Sequence, residues 1–183
     1  MSIYEPAEDS YLLENVIKDY LKDKNKNLKI LDMGAGSGIQ AQTCKNLGFN
    51  NILCADISRE AIESLENKKF NAVKSDLFSN INKKSKFDLI IFNPPYLPED
   101  KDEPKDSRLV TTAGKKGYEI IVKFLKQAKI YLKKEGIILL LVSSLSKPEV
   151  IEKQAKTLDY NLKQVANQKL FFEELFVCEI RKK

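Results

Sequence analysis

Apolar residues at Leu12, Leu13, Val16, Ile17, Tyr20 and Leu21 recur at helical spacing and predict an amphipathic helix over 11–22, with Asp9 or Ser10 just ahead as its cap. A polar turn, KDKNKN, follows. The pattern then changes to short apolar runs separated by helical ones. LKILDM reads as a strand cut by GAGSG, and IQAQTCKNLGF as a helix ended by Gly48. NILCAD is a second strand, Ser58 opens the helix REAIESLENKK, NAVKSD is a third strand and FDLIIFN a fourth. Residues 97–116 are charged and irregular, a loop length that usually serves function. Ile120, Ile121, Phe124, Leu125, Ala128 and Leu132 predict a helix over about 117–134. GIILLLVSS is a central strand, Pro148 sits early in a helix to about Leu158, and the end reads as two strands in a hairpin.

Strands alternating with helices imply a parallel sheet covered on both faces. No helix separates the last two strands, so the final one is expected to run antiparallel. The expected fold is α/β: a doubly wound, mostly parallel, seven-stranded sheet with an antiparallel last strand, in one domain over 1–183. Doubly wound order places the third strand outermost.

Composition narrows the chemistry. The 183 residues suffice for one core. No apolar run approaches the roughly 20 residues that cross a bilayer. The N-terminus lacks a basic segment followed by an apolar one, so a cytoplasmic chain is expected. Cys44, Cys54 and Cys178 are far apart and fit buried small hydrophobes. There is no histidine, which excludes histidine-based triads and the usual zinc-hydrolase ligands, and no metal site is expected. The net charge of +5, mostly lysine and spread along the chain rather than gathered in one block, reads either as attraction to an anionic partner such as RNA or a ribosome-associated protein or as a lysine-rich composition.

Gly34, Gly36 and Gly38 form G-x-G-x-G between a strand and a helix, where glycine allows a tight turn and close approach of a ligand. Asp32 stands just before them; a carboxylate there repels pyrophosphate and suits a ligand carrying an ammonium. Asp56 ends the next strand, where an acid takes ribose hydroxyls, and Asp76 ends the third, where it can accept from an adenine amino group. Any one of these acids, alone, reads equally as a solvated turn residue. Together with the glycine loop they describe a ligand with a ribose, an aminated base and a cationic amino-acid tail. S-adenosylmethionine has all three.

The fourth strand ends in Asn93-Pro94-Pro95-Tyr96. An amide nitrogen is a weak nucleophile because its lone pair is delocalised. The Asn93 side-chain oxygen and the Pro94 carbonyl can accept from one NH2 group, fixing the nitrogen and favouring positive charge on it. Pro94 and Pro95 keep the acceptor rigid, and Tyr96 can lie against a planar group. The motif fits methylation of an amino group on a planar π-system. It does not by itself separate glutamine from adenine N6 or guanine N2, so a nucleic-acid base is the alternative substrate, as is another protein. The acidic stretch EDKDEPKD and the scarcity of arginine weigh against nucleic acid.

ILDMGAGSG, ADIS, SDLF and NPPY resemble, in order and spacing, the HemK-type class I methyltransferases. YEPAEDSYLLENVI and TTAGKKGYEII resemble the short archaeal and eukaryotic branch of that family. The resemblance implies S-adenosylmethionine-dependent methylation of the glutamine amide in the Gly-Gly-Gln motif of a class I translation release factor. It implies cofactor contacts from Ser10, Asp32, Gly34, Ala35, Gly36, Gly38, Asp56, Ile57, Asp76, Leu77 and Asn93. Catalysis falls to Asn93, Pro94, Pro95 and Tyr96. Ser10 reads equally as a helix cap, and Glu8 and Asp9 as pocket-closing acids or plain first-turn acids. Relatives tend to have paired glycines where this chain has Gly114 and Gly117 flanking two lysines, which leaves that loop's conformation open. The resemblance also implies a small zinc-binding activator subunit. The third-strand edge, about 70–75, is the expected contact, with capping by Lys69 and Lys74 as the alternative.

Overall fold

The computed structural model describes residues 5–97 and 116–183. Nearly all of the expected 97–116 loop, Gly114 included, lies outside the described residues. Among the described residues the chain runs α1 (Glu8–Leu21), β1 (Ile30–Met33), α2 (Ile39–Asn46), β2 (Ile52–Asp56), α3 (Arg59–Asn67), β3 (Asn71–Lys74), β4 (Phe87–Phe92), α4 (Glu119–Tyr131), β5 (Leu132–Ser143), α5 (Pro148–Thr157), β6 (Tyr160–Lys169) and β7 (Glu174–Lys182). The strands form one sheet in the order β3-β2-β1-β4-β5-β7-β6. The first five are parallel; β7 runs antiparallel between β5 and β6. The expected doubly wound sheet, the outermost third strand and the antiparallel last strand are all present.

Strand side chains alternate between two cores, as the period of two requires. In β4, Ile90 and Phe92 face one core with Phe124, Leu125 and Ile151 of α4 and α5; Phe87 joins that core from beyond a register irregularity between Phe87 and Leu89. Leu89 and Ile91 face the other, with Leu13, Ile17, Cys44 and Leu65 of α1 to α3. Leu13, Ile17 and Leu21 are four residues apart and fully buried, each contributing roughly 1.5–3 kcal/mol through its removal from water. Among the described residues no helix is long and apolar enough to cross a membrane.

Three local expectations need correction. The cap of α1 is Ala7, not Asp9 or Ser10; both of those lie inside the first turn and are buried. The helix expected to reach residue 134 ends at Tyr131, because Leu132 turns extended (φ −81, ψ 134) and pairs with Phe87. The third strand stops at Lys74, so Asp76 lies two residues beyond its end. Ser58 does cap α3, accepting from the Ala61 N–H at 3.2 Å.

Candidate active site

Strand order reverses between β1 and β4: the chain continues from β1 through β2 to β3 on one side, and from β4 to β5 on the other. Ligands of doubly wound sheets bind outside the carboxyl ends of the strands at such a reversal. Met33 and Phe92 are register partners. The glycine turn and the Asn93 segment therefore leave adjacent strands side by side.

Gly34, Gly36 and Gly38 all have positive φ, at 61, 49 and 82°. Their surroundings differ. A Cβ on Gly38 would stand 2.7 Å from Leu65 Cδ2, whereas one on Gly36 would meet nothing nearer than 3.9 Å. Gly38 thus lets α2 start against α3, and Gly36 leaves open space beside the turn. Two hydrogen bonds tie the turn to its own sheet: Gly36 N–H donates to Asp56 Oδ2 at 2.8 Å, and Ala35 N–H to the Ala55 carbonyl at 3.1 Å.

The acids are not solvated turn residues as a group. Asp32 and Asp56 are buried. Asp32 Oδ2 accepts from the Ala41 N–H in the first turn of α2, at 3.0 Å. Burial pushes the Asp32 carboxyl up to about 7, opposed by the Ala41 hydrogen bond and reinforced by Asp56. Asp56 Oδ1 accepts from the Ser58 N–H at 2.8 Å. Among the described residues neither carboxylate has a lysine or arginine partner. Two buried acids without a cation beside an open glycine turn fit a cationic ligand.

Asp76 differs: half-exposed, it pairs with Lys123 of α4 at 2.9 Å. An exposed pair of this kind is worth about 0–1 kcal/mol, so Asp76 remains available to another donor. Leu77 is buried and left-handed at φ 49°, a conformation costing on the order of 1 kcal/mol or more for such a residue. Its neighbours hold it there: Ser75 Oγ donates to the Leu77 carbonyl at 2.6 Å, and Asn80 N–H donates to Ser75 Oγ at 3.0 Å. Ile57, next to Asp56, is exposed.

Across the reversal, Pro94 is buried and Asn93, Pro95 and Tyr96 are partly buried. Asn93 Nδ2 donates to Asp9 Oδ2 at 3.1 Å. Its Oδ1 is buried and has no hydrogen-bond partner among the described residues. An unmatched buried acceptor costs about 1–3 kcal/mol, and it is an opening for a donor. Ser10 N–H and Oγ–H both donate to Asp9 Oδ1, at 2.5 and 3.2 Å, so Ser10 lies within the same network. Gln40 Nε2 donates to the Ser10 carbonyl at 2.9 Å, and its buried Oε1 is also unmatched. Sequence reasoning missed the contacts of Asp9, Gln40 and Lys123, because they join residues 84, 30 and 47 positions apart.

Residues 10–171 match the methyltransferase small domain family. A Methanocaldococcus jannaschii protein, provisionally named a protein N5-glutamine methyltransferase, is 40% identical over 183 residues, spanning 96% of this chain and 89% of that relative. The eRF1 methyltransferase catalytic subunit mtq2 of Schizosaccharomyces pombe is 28% identical over 196 residues, spanning 91% and 85%. Among solved structures, the E. cuniculi Mtq2–Trm112 complex, described as responsible for methylation of the eRF1 translation termination factor, matches with a TM-score of 0.80 at 26% identity. That match covers 100% of both chains. The chain belongs to the methyltransferase small domain family, and S-adenosylmethionine is its methyl donor.

Proposed function

We propose that this chain, as a single cytoplasmic domain, methylates the side-chain nitrogen of the glutamine in the Gly-Gly-Gln motif of a class I translation release factor. The observation that carries the reading is the buried, unmatched Asn93 Oδ1 beside the switch point. A primary amide brings two N–H donors. Asn93 Oδ1 takes one, and the Pro94 carbonyl is the natural acceptor for the other. That grip aligns the nitrogen and favours the positive charge that develops on it. Bound S-adenosylmethionine supplies a methyl group already activated on a positively charged sulfur. No strong base is then required, and the surplus proton leaves the nitrogen for water after transfer. The absence of histidine accords with this.

Asp56 would hold the ribose and Asp32 the ammonium end, across a turn that Gly34, Ala35, Gly36 and Gly38 keep close. Ile57 and Leu77 would flank the base, with Asp76 at its amino group and Ser10 near the closing side. Tyr96 and Pro95 would wall the acceptor amide. The names of the S. pombe and E. cuniculi relatives support the release factor as substrate.

The E. cuniculi complex also supports a small activator subunit, which we take to be zinc-binding. Among the described residues β3 pairs only with β2, and it is four residues long. Its outer edge offers backbone donors and acceptors for a partner strand.

Incubation with labelled S-adenosylmethionine and three candidates tests the reading: the cognate release factor, its Gln→Ala variant at Gly-Gly-Gln, and bulk nucleic acid. Label is expected on the first alone. Label on nucleic acid alone overturns it.

A further inference from the structure

Asp9 is 3% exposed and sits in the first turn of α1, 84 residues from the amide it touches. A carboxylate can only accept, so the Asn93 group at 3.1 Å from Asp9 Oδ2 is the nitrogen, and the oxygen is turned away from Asp9. Rotating the amide by half a turn would set two oxygens against each other. Asp9 therefore decides which end of Asn93 is left for a ligand. Asp9 is itself held: Ser10 donates to it twice, and Gln40 anchors the Ser10 carbonyl.

We propose that Asp9 is a positioning residue for Asn93, fixing the orientation of its amide and strengthening its oxygen as an acceptor of the substrate N–H. This rests on the amide-acceptor reading above. Hydrogen bonds in series polarise one another. A carboxylate on the Asn93 nitrogen pushes electron density toward the Asn93 oxygen. That oxygen meets a substrate nitrogen whose charge becomes more positive as its new bond forms. The Asp9 charge thus acts at the reacting nitrogen through Asn93, without touching substrate. The benefit is larger in the transition state than in the bound ground state, so it belongs in kcat and not in KM.

The isosteric variant Asp9→Asn tests this, since it keeps an acceptor and removes the charge. It is expected to lower kcat about tenfold, with both KM values within about threefold. In an Asn93→Ala background, itself reduced about a hundredfold or more, the same change is expected to do nothing further, because a residue acting only through Asn93 has no effect without it. A second measurement needs no turnover. In the cofactor-free protein, an Asn93 Nδ2 proton resonance, assigned by its loss in Asn93→Ala, is expected downfield and to move upfield in Asp9→Asn. An unmoved resonance, a wild-type kcat in Asp9→Asn, or an equal loss in both backgrounds overturns the proposal. Wild type that leaves the release factor unlabelled overturns the substrate reading instead, and the resonance still decides whether Asp9 holds Asn93.

Discussion

The Gly36 N–H stands 2.8 Å from Asp56 Oδ2, so the glycine turn after β1 is latched by the acid that ends β2. The same carboxylate holds the start of α3 through the Ser58 N–H. It is thus a structural joint and, in the proposed function, the ribose ligand.

Replacing Asp56 with Ala is expected to weaken S-adenosylmethionine binding at least about tenfold, roughly 1.4 kcal/mol or more. Calorimetric titration measures it. Unchanged affinity removes Asp56 from the cofactor site.

Asp32 gives a pH prediction for the cofactor-free protein. Its folded value of about 7 lies above the ordinary 3.8, so the folded state binds more protons than the unfolded one in between. The stability tied to that proton is full below the unfolded value and is lost as pH rises through about 7, up to a few kcal/mol. Asp32→Asn removes the titration while keeping an oxygen for the Ala41 N–H. Thermal melts at several pH values should show the variant gaining on wild type as pH rises from 5 to 8. A constant difference would mean that Asp32 does not titrate there.

Two glycine substitutions should separate. Gly36→Ala adds a methyl into open space and costs the left-handed conformation alone, about 1–2 kcal/mol. Gly38→Ala adds a clash with Leu65 at 2.7 Å, in a conformation equally unsuited to alanine. Its loss in urea unfolding should exceed that of Gly36→Ala by on the order of 1 kcal/mol or more. Equal losses would show that α3 yields freely.

Co-expression with the candidate activator should give a heterodimer on size-exclusion chromatography, with higher solubility and activity than the lone chain. A stable monomer, fully active and indifferent to the activator, counts against a partner on β3.

The inner sheet was legible because β1, β2 and β4 are short apolar runs ending in glycine, an acid or Asn93-Pro94, and because the glycine turn and Asn93-Pro94-Pro95-Tyr96 are local motifs. The end of α4 was not. Tyr131, Leu132, Lys133 and Lys134 continue a helical pattern with no breaker before Gly136. Pairing of Leu132 with Phe87, and the Lys133–Asp88 ion pair at 2.8 Å, fix it as strand. Tertiary contact there overrides local propensity. The start of α1 was misread for a related reason. Asp9 has the chemistry of a cap, but its carboxylate is committed to Ser10 and Asn93. No spacing rule connects residues 9 and 93.

Helix α1 precedes every strand in the chain, yet it packs against α2, β5, β6 and β7. During synthesis it has no complete seat until the terminal hairpin has emerged. Contacts that span most of a chain form late, since the intervening segment must first be closed into a loop. Asp9 reaches Asn93 only when α1 is docked, so, on the positioning role proposed for Asp9, the full methylation rate waits for the last stage of folding. On that reading, nascent or truncated chains that already carry the glycine turn and Asn93 would lack this part of the rate.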